Sequence, residues 1–150
     1  ELGACTLTRV VPVDPYDPLA AVDVAGGPIH LLGLEMGAAE VGADLNLVLY
    51  WQAEQPVDGS YTVFTQLLDA GGSLVAQQDN VPVEGLAPTD SWSPGQVIRD
   101  PYRLPLSPEM PPGGYQLLVG MYDADGRQVM TLPDGTDADH ASFAVEVKNP

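Results

Sequence analysis

The sequence predicts an all-β chain folded as a two-sheet antiparallel β-sandwich of about seven to nine strands. Three observations predict it. First, residues 59–76 align without gaps against residues 113–130, with identity at Gly59/Gly113, Tyr61/Tyr115, Asp69/Asp123, Ala70/Ala124, Gly72/Gly126 and Val75/Val129. Average residue usage would give about one identity over such a stretch. Each copy reads as turn, strand, Asp-Ala-x-Gly turn, strand, which is the pattern of a β-hairpin. Second, residues 44–53 alternate strictly. Leu45, Leu47, Leu49, Trp51 and Ala53 point one way, and Asp44, Asn46, Val48, Tyr50 and Gln52 the other. A period of two with one polar face marks a strand of an antiparallel sheet. Third, 16 Gly and 15 Pro are scattered without period, which suits short elements joined by tight turns. No stretch sustains a helical period.

The elements follow in order. Residues 1–28 read as an irregular N-terminal segment packing on the sandwich, which occupies 29–150. Within that segment 7–13 has strand character broken by Pro12, and Asp14-Pro15-Tyr16-Asp17-Pro18 is turn or linker material. Residues 29–36 form a strand with Leu32, Leu34 and Met36 on one face. The first hairpin places strands near 60–68 and 73–79, and Gly72 can take a left-handed conformation after a type I turn. Residues 80–95, with Pro82, Gly85, Pro88, Pro94 and Gly95, make a long connection of the kind that crosses between sheets in a Greek key. Residues 96–104 form a strand with Pro101 at an edge or bulge. The last strand, 142–148, turns Phe143, Val145 and Val147 inward. The pattern suits an immunoglobulin/fibronectin III-like sandwich or a jelly-roll, with the two hairpins pressing their apolar sides together; a closed barrel is the alternative.

Composition narrows the function classes. The chain has 150 residues, the size of one ordinary domain with a core of its own. Its 21 acids against 5 Lys and Arg give a net charge of −16. Such a surface repels phosphate backbones and anionic lipid, so nucleic-acid binding is not expected. Cys5 is the only cysteine, which leaves no internal disulfide and no thiolate zinc site. No apolar run reaches the ~20 residues of a membrane span, so direct membrane insertion of this chain is not expected. The chain opens on Glu1, not Met, as a piece excised from something longer would.

Few residues carry chemistry. His30 alternates with the apolar face of its strand and is expected on the solvent side, and His140 follows an acidic loop. Neither accompanies a nucleophile motif. Asp134, Asp137 and Asp139 lie within one short loop and are the candidate metal ligands. Calcium takes six to eight oxygens, and alternating acids can supply them, although Asp and Gly also simply make turns. Tyr50, Trp92 and Tyr102 are the candidate ligand-binding residues, if they form an exposed aromatic platform for sugar; core and anchor roles compete with it.

Four segments together carry a family resemblance. They are Leu49-Tyr50-Trp51-Gln52-Ala53, residues 61–69, Ser91-Trp92-Ser93-Pro94-Gly95-Gln96-Val97-Ile98, and Pro112-Gly113-Gly114-Tyr115 through Gly120-Met121-Tyr122-Asp123. Residues 22–34 fit the opening strand. The chain resembles the soluble C-terminal β-sandwich region of bacterial multi-pass membrane glycosyltransferases of the dolichyl-phosphate-mannose mannosyltransferase type. In that family the catalytic acids sit in the membrane portion, so no catalytic residue is implied here. The resemblance implies a non-catalytic accessory or interaction domain on the extracytoplasmic side of the cell membrane. Its partners would be the parent membrane domain or a glycan, with no cofactor. Two alternatives follow from the residues: a carbohydrate-binding module, and a calcium-dependent adhesion-type β-sandwich with Ca²⁺ in the 134–139 loop.

Overall fold

The computed structural model describes residues 7–10 and 18–150. Cys5, Pro12 and Tyr16 lie outside them. The strands are β1 (Leu7–Val10), β2 (Ala20–Val22), β3 (Ile29–Gly37), β4 (Asp44–Ala53), β5 (Thr62–Leu68), β6 (Leu74–Asn80), β7 (Val97–Pro105), β8 (Gly113–Asp123), β9 (Gly126–Arg127), β10 (Met130–Thr131), β11 (Asp137–Ala138) and β12 (Ala141–Val147). A 3-10 turn, Thr89–Ser91, precedes β7. One sheet runs β11-β10-β2-β3-β4-β7, with β1 also on β3; the other runs β12-β8-β5-β6, with β9 on β8.

The long strands form the expected sandwich. β3, β4 and β7 are the long strands of one sheet, with β7 at its edge, and β12, β8, β5 and β6 form the other. The chain crosses between the two sheets after β4, β6, β7, β9 and β11. Among the described residues this three-plus-four Greek key is the immunoglobulin/fibronectin III arrangement, with neither a jelly-roll nor a closed barrel. Strand segments outnumber the seven to nine expected because the edges carry pieces of only two to four residues. Part of the N-terminal segment is regular: β1 and β2 both pair antiparallel with β3.

The alternation of β4 becomes the core. Leu45, Leu47, Leu49, Trp51 and Ala53 are buried, and Asp44, Asn46, Val48 and Tyr50 lie on the outer face. Each apolar side chain of this size stabilises the fold by roughly 1.5–3 kcal/mol when fully buried. In β3 a register shift between Leu31 and Gly33 changes the predicted face. A bulge puts two residues opposite one, so Ile29 and Leu31 join Leu34 and Met36 in the core, while Leu32 is buried outside that cluster. In β12 Phe143, Val145 and Val147 face inward as expected.

The two similar hairpins do not press together. β5 and β8 pair side by side in one sheet and share the opposite sheet as their packing partner. The first hairpin closes as predicted: the Gly72 N–H donates to the Asp69 carbonyl, and Gly72 takes φ +85°. In the second, β9 keeps only Tyr122↔Arg127 and Asp123↔Gly126. The chain then leaves for the other sheet, where β10 pairs with β2.

At the start of β8 the Tyr115 hydroxyl donates to the Pro111 carbonyl at 2.6 Å. This back-bond is the tyrosine corner of immunoglobulin-type sandwiches. Tyr115→Phe keeps the ring and removes the bond. It is expected to cost about 1 kcal/mol, a fall of roughly 2–4 °C in the thermal midpoint. An unchanged melting curve would deny the bond any role.

Candidate functional site

The crossover at residues 81–96 is held by several side-chain hydrogen bonds. Val83, Glu84 and Gly85 take φ +57°, +54° and +87° in succession. A β-branched residue in the left-handed region is a genuine outlier, costing on the order of 1–3 kcal/mol, and persists only where its surroundings hold it. Here the holder is Asp100. The alternation of β7 turns Ile98, Asp100, Tyr102 and Leu104 inward, so a carboxylate enters the core with no solvent exposure. Its Oδ1 accepts the Val83 backbone N–H at 2.7 Å, and its Oδ2 accepts Trp51 Nε1–H at 3.1 Å. The Tyr102 hydroxyl is shared between Asp100 and the Asn80 carbonyl, which is 3.5 Å away; the carboxylate is the stronger acceptor.

Burial pushes the Asp100 carboxyl above its usual range, against the pull of the bonds from Val83, Tyr102 and Trp51. Burial and then Asp100 push the Tyr102 hydroxyl up as well. The rest of the crossover is pinned with equal care. Thr89 donates its hydroxyl to the Gly59 carbonyl at 2.7 Å and accepts the Tyr61 N–H at 3.1 Å. Trp92 Nε1–H donates to the Ala87 carbonyl, and the Gln52 amide to the Gly95 carbonyl.

Beside this crossover lies an open groove of about 530 Å³, lined by Asn46, Gln78, Asn80, Glu84, Pro101, Tyr102 and Arg103. β7 ends one sheet and β6 ends the other. Pro101 falls at an edge strand, as its missing N–H requires. Gln78 Oε1 accepts the Arg103 backbone N–H at 2.7 Å, closing another group of the same edge. Asn46 and Arg103 are cross-strand neighbours. Arg103 Nε lies 3.8 Å from Asp44 Oδ2, with both side chains largely exposed, so that pair contributes little.

The sequence-predicted residues do not converge. Trp92 and Tyr102 are 5% and 3% exposed and serve as anchors, so the expected aromatic platform is not formed. Tyr50 stands alone of the three on an outer face, where its hydroxyl donates to Glu35; that bond holds the tyrosine proton on more firmly than usual.

The three loop acids also go separate ways. Asp134 accepts the N–H and hydroxyl of Thr136 at 3.0 and 2.6 Å, which lowers its pKa. Asp137 enters β11 and meets the Thr131 hydroxyl at 3.5 Å. Asp139 lies 2.6 Å from His140 Nδ1 and 3.4 Å from Arg127, and its pKa is lowered chiefly by the histidine. Turn and pairing geometry thus use the carboxylates one at a time, and no group of three His, Cys, Asp or Glu suited to an ion gathers among the described residues. His30 is half-buried, opposite Gln52 in the ladder; His30 Nδ1 and Gln52 Oε1 are both buried without a partner.

Sequence reasoning missed Asp100, the 83–85 turn and the groove. One signal was present: Asp100 occupies an inward position of an alternating strand, between Ile98 and Tyr102. Nothing comparable marked the turn, since consecutive left-handed residues have no sequence signature unless they are Gly or Asn.

No family model matches this chain, and no curated protein does. Among solved structures it is similar to part of a β-glucuronidase from glycoside hydrolase family 2. The match has TM-score 0.46 and 10% identity, and covers 91% of this chain and 10% of that one. A glycosyl hydrolase family 2 member from Bacteroides cellulosilyticus gives TM-score 0.48 and 10% identity, over 89% of this chain and 14% of that one. The chain therefore spans only a small fraction of the proteins it matches, and likeness at this level does not bear on what it does.

Proposed function

We propose that this chain is a non-catalytic accessory or interaction domain of a membrane glycosyltransferase-like protein, held on the extracytoplasmic side of the cell membrane. The observation that carries the non-catalytic reading is where the ionisable groups go. Asp100 holds a loop, Asp69, Asp123 and Asp134 close turns, Asp79 accepts the Tyr122 hydroxyl, and Asp139 sits between His140 and Arg127. A reaction centre needs such groups convergent in one cleft, and these are dispersed in structural bonds. The parentage rests on the four resembling segments. The parent membrane domain and a glycan are the partners that parentage suggests.

The test is made on the natural protein in its own cells. Membranes are separated from the soluble fraction, and intact spheroplasts are treated with external protease. The domain should sediment with the membrane and be cleaved from outside. A soluble pool, or full protection until lysis, would sink the reading.

A further inference from the structure

We infer that the groove between β6 and β7 is a binding site for a neutral polyhydroxylated ligand, a short oligosaccharide. Its volume, about 530 Å³, falls within the range of small-ligand sites. Its lining supplies amides from Asn46, Gln78 and Asn80, a carboxylate from Glu84 and a guanidinium from Arg103. That set offers donors and acceptors on several sides, which matches vicinal hydroxyls, since each hydroxyl both donates and accepts.

Other guests fit less well. An anionic ligand would enter against the field of a −16 chain. A peptide strand would have to pair with the edge of β7. There Pro101 has no N–H to donate, and the Arg103 N–H is already taken by Gln78.

The strained turn contributes Glu84 to the groove lining. Glu84 is a left-handed non-glycine residue next to another, and the buried Asp100 carboxylate holds the turn through the Val83 N–H. Backbone strain of this kind gathers at ligand clamps, where a side chain must be presented in one fixed place. A site set before the ligand arrives loses less freedom on binding. The inference stands apart from the membrane parentage, because it concerns the isolated domain.

The experiment is an NMR titration of the ¹⁵N-labelled domain with maltotriose, cellotriose and mannotriose, each to about 20 mM, a range that detects millimolar binding. At least one should give saturable amide shifts confined to residues 46, 78–84 and 101–103. Glu84→Gln and Arg103→Met should each weaken that binding about tenfold, with melting temperatures unchanged because both side chains are exposed. Tri-galacturonic acid should not bind. The inference is overturned if none of the three neutral sugars shifts these residues, if both variants bind as the wild type does, or if only the acidic sugar binds.

Discussion

Asp100→Ala is expected to destabilise the domain by about 3–5 kcal/mol, because it strands buried donors that have no other acceptor. Those donors are the Val83 N–H and Trp51 Nε1–H, with the Tyr102 hydroxyl losing its stronger partner. For a domain of this size the thermal midpoint should fall by roughly 10 °C. Asp100→Asn should fall between wild type and Ala, since an amide offers one acceptor oxygen where the carboxylate offers two.

The same residue predicts a pH dependence. Its folded carboxyl has a raised pKa, so the folded state binds the proton more tightly than the unfolded chain does. Its contribution to stability is full at low pH. It declines as pH rises from the ordinary carboxylate value, about 4, through the raised folded value. The stability gap between wild type and Asp100→Asn should therefore be wider near pH 4 than near pH 7. A gap that widens toward neutral pH would reverse the sign and refute the assignment.

The second large effect is on the outer face of the other sheet. Gly120 in β8 pairs with Phe64 in β5, and the Phe64 ring lies over it. A Cβ at position 120 would sit 2.5 Å from Phe64 Cζ and 3.1 Å from the Asp139 carbonyl oxygen. The ring has little room to yield: the Arg127 guanidinium lies 4.2 Å above its centroid, and Tyr122 flanks it at 6.3 Å. Replacing a strand glycine with alanine ordinarily stabilises by roughly 0.5–1 kcal/mol. Here overpacking should win, and Gly120→Ala should cost about 2–3 kcal/mol. Phe64→Leu in the same chain should recover part of that loss, because the two sites are in contact. Additive losses in a double-mutant cycle by urea denaturation would show that the clash is relieved elsewhere.

These two sites also show what could be read in advance. The β4 ladder, the first hairpin with its left-handed Gly72, the edge position of Pro101 and the inward face of β12 were legible, because each depends on local periodicity or turn chemistry. The bulge that displaces Leu32 was not, since an inserted residue is set by the neighbouring strand. The likeness between the two hairpins told their local shape but not their fate. β9 is cut to two residues because the chain after it is drawn to β2, a contact more than one hundred residues distant in sequence. The candidate residues are kept apart for a related reason. Acids spaced closely along a chain need not meet in space, and Trp92 and Tyr102 are large enough that the core claims them. The groove joins residues from four separate segments, and only the folded edge brings them together.

The central claim is that a carboxylate in the core fixes a strained surface turn and so sets the shape of the groove. The Val83 amide reports on it most directly by hydrogen exchange. Although Val83 lies in a connection, its N–H is bonded to buried Asp100, so it should exchange only on global unfolding, as slowly as the amides of β4. Exchange at the rate of an open surface loop would contradict the account.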